Sequence, residues 1–292
     1  MIKHLTRKEL DITKYDHCIA NAGNTRIYAY SWFLDIVCDD WDVLIIENYK
    51  AVMPLPKRKK YGINYIYLPP WVQQLGIFSK DVITTSLIDQ FIKGIPKKFK
   101  MIDVFFNTEN SFRQKKTKAR NNFILSLNRP YKAIYDRFNK GRRSSIKKGT
   151  KEGLMINENY RAEKIIEFFK QNKGNELKKD EADYLVLNKL MAKALSIGFA
   201  ESLGVVNLDQ KLIGGAFFLK DRHRITYLFS AINKEGRDKQ AMSFLIDHMI
   251  KKYAKNDLIF DFEGSVIEEL ASFFKSFGAE QETYFHLKRY RF

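Results

Sequence analysis

Apolar and polar positions follow the same order twice along this chain. Residues 44–68 read LIIENYKAVMPLPKRKKYGINYIYL, and residues 205–229 read VVNLDQKLIGGAFFLKDRHRITYLF. At a constant offset of 161 residues, Lys50 falls on Lys211 and Tyr61 on Arg222. Each stretch predicts a strand, a polar turn (47–50; 209–211), a second strand, a basic turn and a third strand, which is an antiparallel meander. A helix is expected after each meander, over 81–93 and over 237–255. Each helix leads to a strand, 101–106 or 258–262, that carries an aspartate among apolar residues, Asp103 or Asp261. One supersecondary unit repeated in this way predicts two copies of an α/β module.

Between the copies the pattern predicts a loop over 113–122 and a strand over 123–127. Pro130 suits the first turn of a helix, and Tyr131, Ile134, Tyr135 and Phe138 recur at helical spacing through Asn139. Gly141 interrupts, and 142–152 reads as a basic helix or turn before a strand at 154–157. Two amphipathic helices are expected, over 161–173 and 180–196, the latter burying Leu185, Leu187, Leu190, Met191 and Leu195. Residues 260–279, FDFEGSVIEELASFFKSFGA, read as a buried strand ending in Asp261 and Glu263, then Gly264. An amphipathic helix with Leu270, Phe273, Phe274 and Phe277 on its apolar side follows, closed by Gly278. The module boundaries implied are 1–122 and 123–292.

A length of 292 residues with 45% hydrophobic content allows two ordinary domains with real cores and argues against disorder. The formal charge of +17 is concentrated: residues 113–151 hold fourteen Lys or Arg against one acid, Asp136. Such a segment points to an anionic partner (phosphate, nucleic acid or an anionic lipid surface), or to a solvated face that keeps the protein soluble. Cys18 and Cys38 sit in no CxxC pattern, and the histidines at 4, 17, 223, 248 and 286 have no metal-ligand spacing, so neither a metal nor a disulfide scaffold is expected. The start lacks an apolar signal region, and no uninterrupted apolar run of about 18 residues occurs. A cytoplasmic, reduced protein is the expectation. No GxSxG, Walker or Ser-His-Asp signature is present.

Three constellations can carry chemistry. Residues 233–241, NKEGRDKQA, follow a strong strand and open a helix. Amides there can hold a phosphate, with Gly236 allowing close approach and Arg237 and Lys239 adding charge. In the basic run Arg142, Arg143, Lys147 and Lys148, positions 143 and 147 share a helix face and can clamp a phosphate. Asp261 and Glu263, at i and i+2 on a strand, face one side, where like charges raise one pKa and make a base. The alternative is that both acids pair with basic neighbours.

The runs RRSSIKKGTKEGL (142–154), YLFSAINKEGRDKQAMSFLIDHMI (227–250), FDFEGS and FFKSFGA together resemble the carboxyl-terminal half of FemAB/FemX-type transferases of the GNAT-like acyltransferase superfamily. MPLPKRKKYGINYIYLPP (53–70) resembles the degenerate partner domain. The resemblance implies an α/β (α+β) fold of two tandem GNAT-like modules, each a mixed, largely antiparallel sheet flanked by helices. It implies an N-acyltransferase or aminoacyltransferase that moves an acyl group from acyl-CoA (acetyl-CoA) or aminoacyl-tRNA to an amine acceptor, a small molecule or a cell-wall precursor. Asp261 or Glu263 would take the amine proton. Gly236, Arg237, Gln240, Arg143 and Lys147 would hold donor phosphates, and the backbone at Phe229, Ser230 and Ala231 the carbonyl oxygen. The chain departs from the family's phosphate loop at Gln240 and Met242, where small residues are usual. Phe274 stands where many members place an acid tyrosine, so either another group serves or the donor is not a thioester. The competing reading is a non-catalytic RNA- or tRNA-binding protein that uses 113–151, with Phe123, Tyr131 and Tyr135 stacking on bases. A peripheral contact with anionic lipid is compatible with the enzyme.

Overall fold

A short strand, β1 (Ile2–Thr6), precedes helices α1 (Ile12–Asn21) and α2 (Ser31–Val37). The first expected meander follows as β2 (Asp40–Ile46), β3 (Ala51–Lys60) and β4 (Ile63–Ile66), and a two-residue strand, β5 (Phe78–Ser79), pairs with β3. Helix α3 (Thr85–Gly94) starts later than the periodicity suggests, because the Thr84 hydroxyl caps it by accepting from the Leu87 amide. It leads to β6 (Phe99–Phe106), which lies parallel to β4. Leu44, Met53 and Leu55 from the meander, Ile88, Phe91 and Ile92 from α3, and Phe99 and Ile102 from β6 form one buried cluster.

The computed structural model describes residues 2–111, 117–173, 180–264 and 267–291. The chain divides into two units, Met1–Asn121 with Glu282–Phe292, and Asn122–Gln281. Residues 113–116 of the basic segment lie outside the described residues.

The second unit contains β7 (Thr117–Ser126) from Asn122 on, α4 (Tyr131–Tyr135), α5 (Lys140–Lys151), β8 (Met155–Glu158), α6 (Ala162–Lys173) and α7 (Glu181–Ser196). The second meander is β9 (Ala200–Val206), β10 (Leu212–Lys220) and β11 (Arg224–Ile232). The single helix expected over 237–255 is two: α8 (Lys234–Asp238) and α9 (Ala241–Tyr253), broken by Gln240 in left-handed backbone at φ +63°. Then come β12 (Ile259–Asp261), parallel to β11, and α10 (Glu268–Lys275). The helix at 140–151 runs through Gly141, because the Asn139 side chain caps it by accepting from the Arg142 amide.

Each unit repeats one order, with a meander, a helix, and a strand parallel to the meander's third. The strand completing each sheet comes from elsewhere in sequence. β7 follows β6 along the chain but pairs antiparallel with β12. The last strand, β13 (Glu280–Tyr290), follows α10 but pairs antiparallel with β6, burying Leu287 in the first unit's core. Residues 282–292, expected in the second module, therefore cluster with the first unit.

Three residues expected in cores are exposed: Leu185, Leu195 and Leu270. In α7 the buried stripe is Leu187, Leu190, Met191 and Ala194, at i, i+3, i+4 and i+7, and the other two leucines fall off it. The described part of α10 buries Phe274, while Leu270 lies in its first turn on the solvent side.

Candidate active site

β11 and β12 pair through three positions, Arg224↔Ile259, Ile225↔Phe260 and Thr226↔Asp261. β12 ends there, while β11 continues to Ile232. Beyond Thr226 this edge of β11 is no longer flanked by β12. On the other edge, the register against β10 shifts between Phe217↔Phe229 and Phe218↔Tyr227, which leaves Leu228 as a bulge residue. The bulge restores side-chain phase so that Tyr227 and Ser230, three apart, face the same side. The Ser230 side chain is near enough to that of Tyr227 to lower its pKa, and the Tyr227 hydroxyl reaches the Met242 sulfur at 3.4 Å. Burial pushes the Tyr227 hydroxyl up to about 12, against the lowering effect of Ser230, so it keeps its proton at neutral pH. Phe229 turns to the opposite face, its ring 5.0 Å from Phe169.

The Asn233 amide donates to the Ile213 carbonyl at 3.2 Å and sets the phase of the ladder. Alternation then directs the amides of Ala231 and Phe229 toward β10 and that of Ser230 toward the edge that β12 has left. Of the three backbone positions expected to hold an oxyanion, Ser230 has the orientation for it, and Phe229 and Ala231 are occupied in the sheet.

Asp261 is buried, and both its oxygens are engaged. Oδ2 accepts from Arg224 at 2.7 Å; Oδ1 accepts from the Asn122 amide at 3.0 Å and from the Glu263 backbone amide at 2.9 Å. The alternative weighed from sequence, pairing with a basic neighbour, is what the structure displays for Asp261. Its equivalent in the first unit, Asp103, likewise bonds a basic residue of the neighbouring strand, His286 at 2.7 Å. The expectation that Asp261 and Glu263 share a strand face fails because β12 stops at Asp261. Glu263 lies beyond it, half-buried, in left-handed backbone at φ +55°. A non-glycine residue held there stores about 1–3 kcal/mol of strain, a feature that clusters at functional sites.

The phosphate residues separate. Gly236 does approach a backbone closely, but the backbone is the protein's own: a Cβ at this position would sit 2.1 Å from the Ile213 carbonyl oxygen. Its amide is already donated to the Asn233 side chain at 2.7 Å. The Arg237 guanidinium donates to the Ile232 carbonyl at 3.3 Å, and the Gln240 side-chain amide donates to the Arg237 carbonyl at 3.1 Å. Lys239 is paired with Glu235 at 3.0 Å. Ala241, Met242 and Ser243, the first turn of α9, are buried. The expected phosphate loop is thus a packed, internally bonded corner.

Arg142 does not join a clamp. Its guanidinium bonds the Ser243 hydroxyl and, at 2.9 Å, that of Ser276, and lies 4.1 Å and 4.7 Å from the ring centres of Phe273 and Phe277. Burial without a carboxylate lowers its pKa to about 10. Arg143 and Lys147 do share a face of α5, and neither has a side-chain partner among the described residues; Lys147, Lys148 and Lys151 are exposed. Phe274 is embedded among Phe123 and Phe262, with ring centres at 6.2 Å and 5.0 Å, as a core residue.

Sequence reading missed Tyr227 and the Leu228 bulge. ITYLFSAI reads as an unbroken strand, and a bulge is fixed by the partner strand's register, which no local pattern carries. Among the described residues, no cluster of three or more His, Cys, Asp or Glu is placed to hold a metal ion, and no helix is long and apolar enough to cross a membrane.

The acetyltransferase (GNAT) domain family matches residues 139–270, which include the parallel strand pair and the bulged strand. The matched residues all lie within the second unit. The crystal structure of FemX superposes with a TM-score of 0.72 at 13% identity, covering 98% of this chain and 97% of that one. A conserved protein of unknown function from Bacteroides thetaiotaomicron VPI-5482 gives 0.64 at 9% identity, covering 99% and 100%. L-PGS from Bacillus licheniformis gives 0.57 at 12% identity, covering 97% and 93%. No curated protein matches the chain. The resemblance to FemAB/FemX-type proteins of the GNAT-like superfamily holds, and the mixed sheets flanked by helices are the fold it implied.

Proposed function

We propose that this protein transfers an aminoacyl group from aminoacyl-tRNA to an amine acceptor. The observation that carries the reading is the opening of β11 from β12 beside the Leu228 bulge, which leaves the Ser230 amide directed at the vacated edge. The amine attacks the ester carbonyl, and the Ser230 amide stabilises the oxyanion. Glu263 accepts the amine proton, and the Tyr227 hydroxyl, protonated at neutral pH, donates to the departing sugar oxygen. A new amide forms, the ester breaks, and the tRNA leaves with a free terminal hydroxyl.

Two features favour tRNA over CoA as the carrier. The corner at Gly236–Ala241, where the family's CoA pyrophosphate would lie, is filled by the protein's own bonds. The exposed cations of α5 suit a phosphate backbone. The first unit, which repeats the same order, is read as the degenerate partner module. A cell-wall precursor amine is the acceptor class this reading favours.

The test is titration with acetyl-CoA and, separately, with charged tRNA at about 150 mM salt, where exposed-charge attraction is largely screened. Saturable binding of charged tRNA with release of its amino acid to an amine, and none of acetyl-CoA, is the expected result. Micromolar binding of acetyl-CoA would make the donor a thioester. Equal affinity for charged and uncharged tRNA with no transfer would favour the non-catalytic binder, which the occupied oxygens of Asp261 also suit.

A further inference from the structure

The first unit holds a cavity of about 530 Å³ that acyl transfer in the second unit leaves unused. Lys59, Asn64 and Phe99 form one row across β3, β4 and β6, through the pairs Lys59↔Asn64 and Asn64↔Phe99. Lys57 lies two residues back on the same face of β3. Lys98 enters from the turn before β6, its ammonium 3.6 Å from the carboxylate of Asp42. Asp42 is fully buried and also accepts from Lys57 and, at 2.8 Å, from His4. Lys57 reaches Asp40 as well, at 3.1 Å, and Arg58 is held by Asp39. Burial works against the Lys57 charge, but Asp42 and Asp40 outweigh it and raise its pKa.

The acids beside the cavity are therefore already taken. Lys57, Arg58, Lys59 and Lys98 line it against Asp39 and Asp40, and Lys59 has no side-chain partner among the described residues.

The internal repeat supplies a comparison. At the offset of 161, Lys59 corresponds to Lys220 and Asp40 to Glu201. In the second unit Lys220 is consumed by Glu201 at 3.3 Å and by the Tyr253 hydroxyl at 2.9 Å. The place of Lys57 is filled by Phe218, a buried core residue. One copy has closed this end of its sheet with an ion pair and aromatics. The other has kept a lysine-lined space with an unspent ammonium.

We propose that this cavity binds a phosphate-bearing small molecule, whose phosphate oxygens accept from Lys59, Lys57, Lys98 and the Asn64 amide. Its volume falls within the roughly 300–1,000 Å³ of small-molecule sites. Lysines serve here as point charges toward a compact polyanion, and the buried Asp42 fixes two of them by their inner protons while leaving others to donate outward. This inference is independent of the identity of the acyl donor.

The test is lysine footprinting of the full chain by reductive methylation at about 150 mM salt, with inorganic pyrophosphate as the probe. Pyrophosphate should slow modification of Lys59 and Lys98 saturably and leave Lys189, an exposed lysine on α7, unchanged. In Lys59→Ala, the concentration needed to protect Lys98 should rise about tenfold, the loss expected for one charge-assisted contact. Absence of protection at millimolar pyrophosphate would overturn the proposal. So would protection equal at all three lysines, or an unchanged midpoint in the variant.

Discussion

The two carboxylates that close the FDFEG stretch are placed differently, Asp261 bonded to Arg224 and Glu263 beyond the end of β12. Asp261 forms a buried pair with Arg224, and removing one member leaves the other buried and unpaired. Asp261→Ala is expected to cost about 3–5 kcal/mol of stability, read as a shifted urea midpoint. An unshifted midpoint would return Asp261 to the list of bases. Glu263→Gln should instead lower turnover by roughly 10²–10⁴-fold while unfolding stays at the wild-type midpoint.

Asp247 offers a pH test of opposite sign to the usual carboxylate. It is buried, accepts from the Tyr131 hydroxyl at 2.7 Å, and has its pKa raised, chiefly by burial against the lowering effect of that bond. The folded state therefore holds this proton to higher pH than the unfolded chain does. Stability from this group is greatest below the ordinary value of 3.8 and falls as pH rises from there through the raised folded value. Asp247→Asn, which can still accept from Tyr131, should gain on wild type across that window and hold its gain above it. A difference that shrinks with rising pH would contradict this.

Among the elements, the corner between β11 and α9 depends on one missing side chain. A Cβ on Gly236 would meet the Ile213 carbonyl oxygen at 2.1 Å, a backbone atom that cannot step aside. Gly236→Ala should destabilise by about 1–3 kcal/mol, visible as a lowered melting temperature. If the glycine served a ligand instead, stability would hold and donor binding alone would fall. The last strand makes a second test, because Leu287 of β13 is buried in the first unit. Leu287→Ala should cost about 2–5 kcal/mol. Proteolysis should then open sites within 1–121 before sites within 122–281, the order that the pairing of β13 with β6 requires.

For the molecule as a whole, a net charge of +17 makes attraction to any polyanion certain and specificity the question. If α5 carries the tRNA contact, replacing Arg143, Lys147, Lys148 and Lys151 by alanine should flatten the log–log salt dependence of tRNA binding by about 3 units, at roughly 0.7–0.9 per lost phosphate contact. An unchanged slope would move the contact to another face.

The sequence by itself determined the repeated order of elements. Alternating strands, amphipathic helices and turns are local patterns, and the offset of 161 survives into β2–β4 and β9–β11. It also placed the candidate chemistry at the end of β12 and in the turn after β11. Only the tertiary structure decided which of those residues are available. Asp261 is spent on Arg224, which lies 37 positions away, and Gly236 on a carbonyl of β10. The Leu228 bulge exists only in the register of two strands. The final strand's allegiance to β6 was equally hidden, because β13 has the same alternation whichever edge it completes. Local patterns fix what a segment forms. Partnership between distant segments is fixed by burial and by the pairing of polar groups, and that partnership selects the residues left to act.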